Sequence, residues 1–189
     1  MPINSGQFRT HKGIKFLRGI SLDSSSKDGY SLKIPSPDIP SVEQLHREFS
    51  ANYNHGTDFE AAEKLSRFIA EEFEYEDISD NKNEIWLTKG LQERKGVCKE
   101  QAATYQVLAQ RIGLDSEYLK GTLPMGGKRY RHAWNKVETK EGTMLADPTN
   151  NRFGEYSQVK QDNNYIEGEQ LVSIRPDQNM SDVRDFLEQ

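Results

Sequence analysis

Three side chains in this sequence have the chemistry of a nucleophile, a base and an orienting carboxylate. Cys98 follows Gly96-Val97, His132 opens His132-Ala133-Trp134, and Asp147 precedes Pro148. Cys98 is the only cysteine in the chain. It stands at the first turn of an expected helix, where the positive end of the backbone dipole favours thiolate over thiol. A thiolate is a competent nucleophile near neutral pH. His132 falls within one expected strand and Asp147 at the end of the next. If those strands pair through a turn at 139–142, both residues lie near the same end of one ribbon. The carboxylate then accepts from one imidazole nitrogen and fixes the tautomer, and the other nitrogen faces the sulfur.

Each residue also has a plain structural reading. A lone cysteine is commonly a small buried hydrophobe. A strand histidine is commonly a satisfied core residue, and Asp-Pro commonly opens a turn. The order of the three motifs, with a helix after the cysteine, favours chemistry.

The elements that must position these residues follow from periodicity. Cys98, Ala102, Tyr105, Ala109 and Ile112 recur at helical spacing, and Gly113 ends the helix. Upstream, Val42, Leu45 and Phe49 mark one helix opening at Pro40-Ser41. A capping box at Thr57 and Glu60 opens a second, with Phe59, Ala62, Leu65, Ile69 and Phe73 as its stripe. The acidic residues that close it read as a solvated face. Gly90 to Gly96 reads as a lead-in. After Gly113 the pattern becomes strands at 117–121, 130–138 and 143–147, with turns at 124–127 and 139–142. Residues 150–168 read as polar loop, 171–174 as a closing strand and 181–187 as a short helix. Helices followed by an antiparallel meander, without βαβ alternation, predict an α+β fold.

Composition narrows the rest. The chain has 189 residues and a net charge of −5, so no global charge points to nucleic acid or an anionic membrane. No apolar run approaches membrane-spanning length. Met1 to Thr10 lacks the pattern of a secretory signal. With one cysteine and no internal disulfide, a cytoplasmic location is expected, or export without a classical signal peptide. The histidines and the single cysteine make no zinc spacing. His11, His46 and His55 read as surface. Residues 1–40, broken by glycines, serines and prolines, read as an arm with one or two short strands, partly disordered. The sequence leaves the oligomeric state open.

The wording is also familiar. Gly-Val-Cys, the helix ending Ile112-Gly113-Leu114, the strand Leu119-Lys120-Gly121, His-Ala-Trp and Asp-Pro-Thr together resemble the transglutaminase-like superfamily, over roughly residues 59–150. The resemblance implies a papain-like core with the catalytic helix packed on an antiparallel β-sheet, within a catalytic domain at 41–189. It implies Cys98 as nucleophile, His132 as base and Asp147 as orienter, with no cofactor and no metal. The implied reaction forms a thioester with an amide of a protein or peptide, such as a glutamine side chain, and passes the acyl group to an amine or water. Gln92, upstream of the cysteine, has the spacing of an oxyanion-binding glutamine in papain-like proteases, although the Cys98 backbone N–H is the simpler donor. Trp134 is a candidate cleft wall, and Trp86 a weaker one. Lys128-Arg129-Tyr130-Arg131 reads as a solvated hairpin tip or as a substrate-facing loop. Two rival readings stand beside this one: a cysteine peptidase with the same core, and a binding module that kept the fold and lost the chemistry.

Overall fold

Thr57 starts the second helix as the capping box requires. Its Oγ1 accepts from the Glu60 N–H at 3.2 Å, and the Glu60 carboxylate accepts from the Thr57 N–H at 3.0 Å. The computed structural model describes residues 40–53, 56–78 and 87–168, with the backbone of short strands at 10–11, 14–15, 21–23, 31–33, 84–85 and 173–174.

The early strands form two antiparallel pairs: β1 (Thr10–His11) with β2 (Ile14–Lys15), and β3 (Ser21–Asp23) with β4 (Ser31–Lys33). Helices α1 (Pro40–Asn52) and α2 (Asp58–Glu72) follow. Then come β5 (Glu84–Ile85), α3 (Leu87–Glu93) and α4 (Cys98–Arg111). The meander is β6 (Asp115–Met125), β7 (Lys128–Thr139) and β8 (Gly142–Asp147). A 3-10 turn (Pro148–Asn150), β9 (Arg152–Glu155), α5 (Tyr156–Asn163), β10 (Ile166–Glu167) and β11 (Ser173–Ile174) complete the order. The main sheet is antiparallel, in the order β10-β6-β7-β8-β9. The fold class is therefore α+β, as expected.

Several expectations need correction. The lead-in at 90–96 is largely helix, because α3 runs through it to Glu93. The turn after β6 is Gly126-Gly127, and Pro124 belongs to the strand. The stretch 150–168 is not loop: it carries β9, α5 and β10. Helix α5 buries no residue fully, and only Tyr156 and Val159 pack inward, too few to read as an apolar stripe. The Glu155 carboxylate, accepting from the N–H groups of Ser157 and Gln158, starts it instead. The closing strand pairs in parallel with β5. The proposed helix at 181–187, and the side chains of the N-terminal arm, lie outside the described residues.

Helix α4 is also more central than a single stripe suggests. Every residue from Lys99 to Ala109 is buried. Leu45, Leu65 and Ile69 of α1 and α2 cover one side, and Tyr118, Ala133 and Val137 of the sheet cover the other. Two of its buried polar side chains, Gln101 and Gln106, find partners, while Thr104 Oγ1 is left without one among the described residues. Gln106 donates to the Ser116 carbonyl at 2.6 Å, and its own carbonyl accepts from Ser116 Oγ at 2.8 Å and Asn135 Nδ2 at 3.1 Å. This network stitches helix to sheet at low apolar cost. A polar belt also closes the outer end of α2, where Arg94 pairs with Glu48 and Glu72, and Lys95 with Glu76.

Beneath the other sheet face lies a smaller cluster of Leu119, Leu123, Trp134, Leu145 and Tyr165. Gly121 makes room for it. A Cβ there would overlap the Ile166 carbonyl oxygen and sit 2.7 Å from the Trp134 ring. We therefore expect Gly121→Ala to displace β10 and cost roughly 1–3 kcal/mol, the range of overpacking. Urea denaturation of the variant checks this; an unchanged midpoint would show that the edge yields freely.

Candidate active site

The start of α4 is set by backbone and by one carboxylate. Gly96 donates its N–H to the Glu74 carbonyl at 3.1 Å, and Glu74 donates to Arg94 at 2.9 Å. A side chain at position 96 would overlap the Glu100 Cβ, so the chain passes there only as glycine. Val97 is extended and caps the helix, and its N–H donates to Glu100 Oε2 at 3.2 Å. Cys98 is then the first helical residue, half-buried and unbridged. Its backbone N–H belongs to the turn that helix geometry leaves without an internal acceptor.

His132 and Asp147 arrive from adjacent strands. The β7–β8 ladder ends at Asn135 opposite Ala146. Extending that register sets Asp147 diagonal to His132 on the same sheet face, the distance at which long side chains meet. His132 Nε2 lies 2.7 Å from Asp147 Oδ2. The Cys98 side chain lines the same cleft as the imidazole and is among the groups that favour its protonation. With Nε2–H donating to the carboxylate, Nδ1 is the nitrogen left for the sulfur.

The carboxylate is fully buried and richly satisfied. The Tyr165 hydroxyl donates to Oδ2 at 2.5 Å, the Asn150 side-chain amide donates to Oδ2 at 2.8 Å, and the Asn150 N–H donates to Oδ1 at 3.3 Å. The Asn150 amide also approaches His132 Nε2 at 3.1 Å. In this tautomer both atoms are donors, so that contact carries no bond. Burial pushes the Asp147 pKa up, but the bonds from His132, Asn150 and Tyr165 outweigh it and hold it below its ordinary value. Burial works against a charged His132 as well, yet Asp147 and Cys98 together raise its pKa to about 9.

One further side chain joins the two halves. Gln101 donates to the Gly96 carbonyl at 3.1 Å and accepts from the Thr149 hydroxyl at 3.0 Å. It ties the cysteine turn to the turn after the aspartate. Gln101, Asn150 and Tyr165 were not singled out from sequence. Asn150 follows Asp147 at Asx-turn spacing, a readable signal. Tyr165 is distant along the chain and gave none.

Cys98 and His132 open onto a cleft of about 580 Å³. Arg129 to Arg131 line it from the exposed start of β7, beside the Gly126-Gly127 turn. Trp134 does not wall it. The indole is fully buried on the sheet face away from α4, packed edge-on against Tyr165 with ring centres 5.0 Å apart. Strand alternation correctly sets it on the face of His132, but that face is covered by Tyr165, Tyr156 and Val159. Gln92 lies exposed on α3 and is not among the cleft residues. Trp86 and the side chains of His11 and His55 lie outside the described residues. His46 is half-buried on α1, 3.2 Å from Ser50 Oγ. Among the described residues no acidic, histidine or cysteine cluster could hold a metal ion, and no helix is long and apolar enough to cross a membrane.

Comparison with known proteins adds a family. The family model described as Transglutaminase-like superfamily matches residues 43–148. No curated protein sequence matches the chain. Solved structures align at low identity. A candidate cysteine protease from Cytophaga hutchinsonii aligns at 20% identity and a TM-score of 0.47, over 61% of this chain and 40% of its own. A TGase aligns at 16% and 0.48, over 65% and 34%. LapG of Legionella pneumophila aligns at 12% and 0.48, over 80% and 98%. The chain thus spans less than half the length of the first two.

The raised His132 pKa has a consequence for stability. Between its ordinary 6.5 and its folded value of about 9, the folded chain binds more protons than the unfolded one. The imidazolium–carboxylate contribution is therefore complete below pH 6.5 and lost as pH rises through 9. A gap of that size corresponds to at most about 3 kcal/mol. Melting wild type and His132→Gln from pH 6 to pH 10 checks this: wild type loses its advantage across that window. Parallel pH profiles would contradict the coupling.

Proposed function

Because this chain belongs to the transglutaminase-like superfamily, we propose that it is a cysteine enzyme that cleaves an amide by way of a thioester at Cys98. The observation that supports this most is a cleft that Cys98 and His132 both line, with the imidazole bonded to a buried, satisfied carboxylate.

In this reading the attacking group is the Cys98 thiolate, and His132, its pKa raised, carries the proton that the leaving group needs. The sulfur attacks the amide carbonyl carbon. The oxygen takes up the negative charge and is met by the Cys98 N–H at the head of α4. Nδ1–H of His132 then passes its proton to the leaving nitrogen as the carbon–nitrogen bond breaks. A thioester and a neutral amine or ammonia result. Water or an incoming amine next attacks the thioester, His132 takes its proton, and the carbon–sulfur bond breaks to restore the thiolate. Asp147 holds the ring in one tautomer throughout and steadies its charge. Asn150, Tyr165 and Gln101 act as positioning residues. The substrate class is an amide of a protein or peptide.

Incubation of a proteome with purified chain and a tagged primary amine tests the reading. The expected result is glutamines converted to glutamates, or amine-tagged, in a Cys98-dependent way. New peptide termini would identify a peptidase instead. Cys98→Ala should lower turnover by at least about 10⁴-fold while melting near wild type, because the small side chain loses little packing. No Cys98-dependent change in any protein would overturn the enzyme reading and favour a binding module.

A further inference from the structure

Acyl transfer at Cys98 needs one base and one oxyanion donor, yet the cleft carries far more positive charge than that. Lys99, Lys120, Arg129 and Arg131 line it, against the single carboxylate of Asp77.

Lys120 is the least expected of these. It lies on β6 opposite Ala133, one strand across from His132, and is 5% exposed. Burying an ammonium is costly unless something answers its charge. Among the described residues its Nζ has no hydrogen-bond or ion-pair partner, and it keeps contact with the solvent of the cleft. The groups that act on it at longer range are Cys98 and Glu100, which favour its charge, and Lys99 and Arg131, which oppose it. Glu100 is already engaged, accepting from the Val97 N–H and lying 3.6 Å from Lys99. Burial is the largest influence and brings the Lys120 pKa down to about 8, so the side chain is still mostly a cation at neutral pH.

Arg129 is fixed but not neutralised by its bonds. It donates to Thr122 Oγ1 at 2.9 Å, to the Thr122 carbonyl at 3.1 Å and to the Asn164 carbonyl at 2.7 Å, all uncharged acceptors. Its guanidinium therefore stands at the exposed rim with its charge intact, while Lys120 stands deeper beside the sulfur.

We infer that Lys120 is a specificity-determining residue that receives a substrate carboxylate, the side chain of an Asp or Glu next to the reacting amide, with Arg129 guiding it in at the rim. This rests on the acyl-transfer reading and names the substrate class for that same site: an acidic peptide segment. An incoming carboxylate supplies a counter-charge to the ammonium at the cleft wall, and the apolar stem of the lysine already lies in that wall.

The alternative is that Lys120 only favours ionisation of the sulfur. A matched pair of thiol-alkylating probes separates the two. One is a chloroacetyl dipeptide amide carrying Glu beside the warhead; the other carries Gln. Both react with the same thiolate, so its population cancels in the ratio of their rates. The expected Glu/Gln ratio for wild type at low salt is about tenfold, the size of one partly buried charge pair. Salt should compress it. Lys120→Met, which keeps the stem, should bring the ratio near one, Lys120→Arg should keep most of it, and Arg129→Gln should lower it less. A wild-type ratio near one overturns the proposal without any variant. So does a Lys120→Met protein in which both probes slow equally. The underlying reading is judged separately, by the absolute rate with the Gln probe: if His132→Gln leaves that rate unchanged, Cys98 is not activated and the acyl-transfer reading falls, whatever the ratio.

Discussion

A carboxylate with no exposure to water is the constraint around which this structure is arranged. Asp147 sits at 0% exposure, and an isolated charge there would cost several kcal/mol. Its oxygens are met by His132 from β7, by Asn150 from the 3-10 turn and by Tyr165 from the stretch between α5 and β10. The sheet register, the Pro148 turn and the return of the chain through α5 must all be correct at once. A slip of one residue between β7 and β8 would move Asp147 to the opposite face and strand both charges. The thiol, by contrast, is half-buried and asks little of its surroundings.

For the proposed chemistry, the second requirement is that the sulfur stay at a fixed place relative to that ribbon. Here a helix buried on all sides is an advantage. Helix α4 cannot slide without breaking the Gln106 network to Ser116 and Asn135, or the Gln101 bridge between Gly96 and Thr149. Those bonds are directional where apolar packing is not. They also explain how a chain with 34% apolar residues holds a firm centre: a polar lattice replaces part of the oil.

What could be read in advance was what local rules determine. The capping box at Thr57, the strand alternation through His132 and Trp134, and the hairpin from Thr139 to Gly142 depend on neighbours within a few residues. What could not be read depends on which face is covered. Trp134 shares the face of His132, but only Tyr165 and α5, distant along the chain, make it interior. Helix α5 itself carries too few apolar residues to read as a stripe, and its capping glutamate is a weak signal. Lys120 sits in a strand where alternation assigns it a side, but its burial is set by α4 and the neighbouring strand.

If the cleft carries out the proposed acyl transfer, the charge on its wall acts on both halves of the reaction, and in opposite directions. An acidic donor segment would be drawn toward Lys120 and Arg129. A lysine acceptor approaches as a cation and meets the same field with the wrong sign, at a site where low dielectric strengthens the repulsion. Water carries no charge and meets no such barrier. An amine competes with it only when it arrives neutral, or when an acidic residue beside it offsets its charge. On the proposed reading, electrostatics would bias a thioester at Cys98 toward hydrolysis, and the wall that selects the first substrate would also select against the commonest second one.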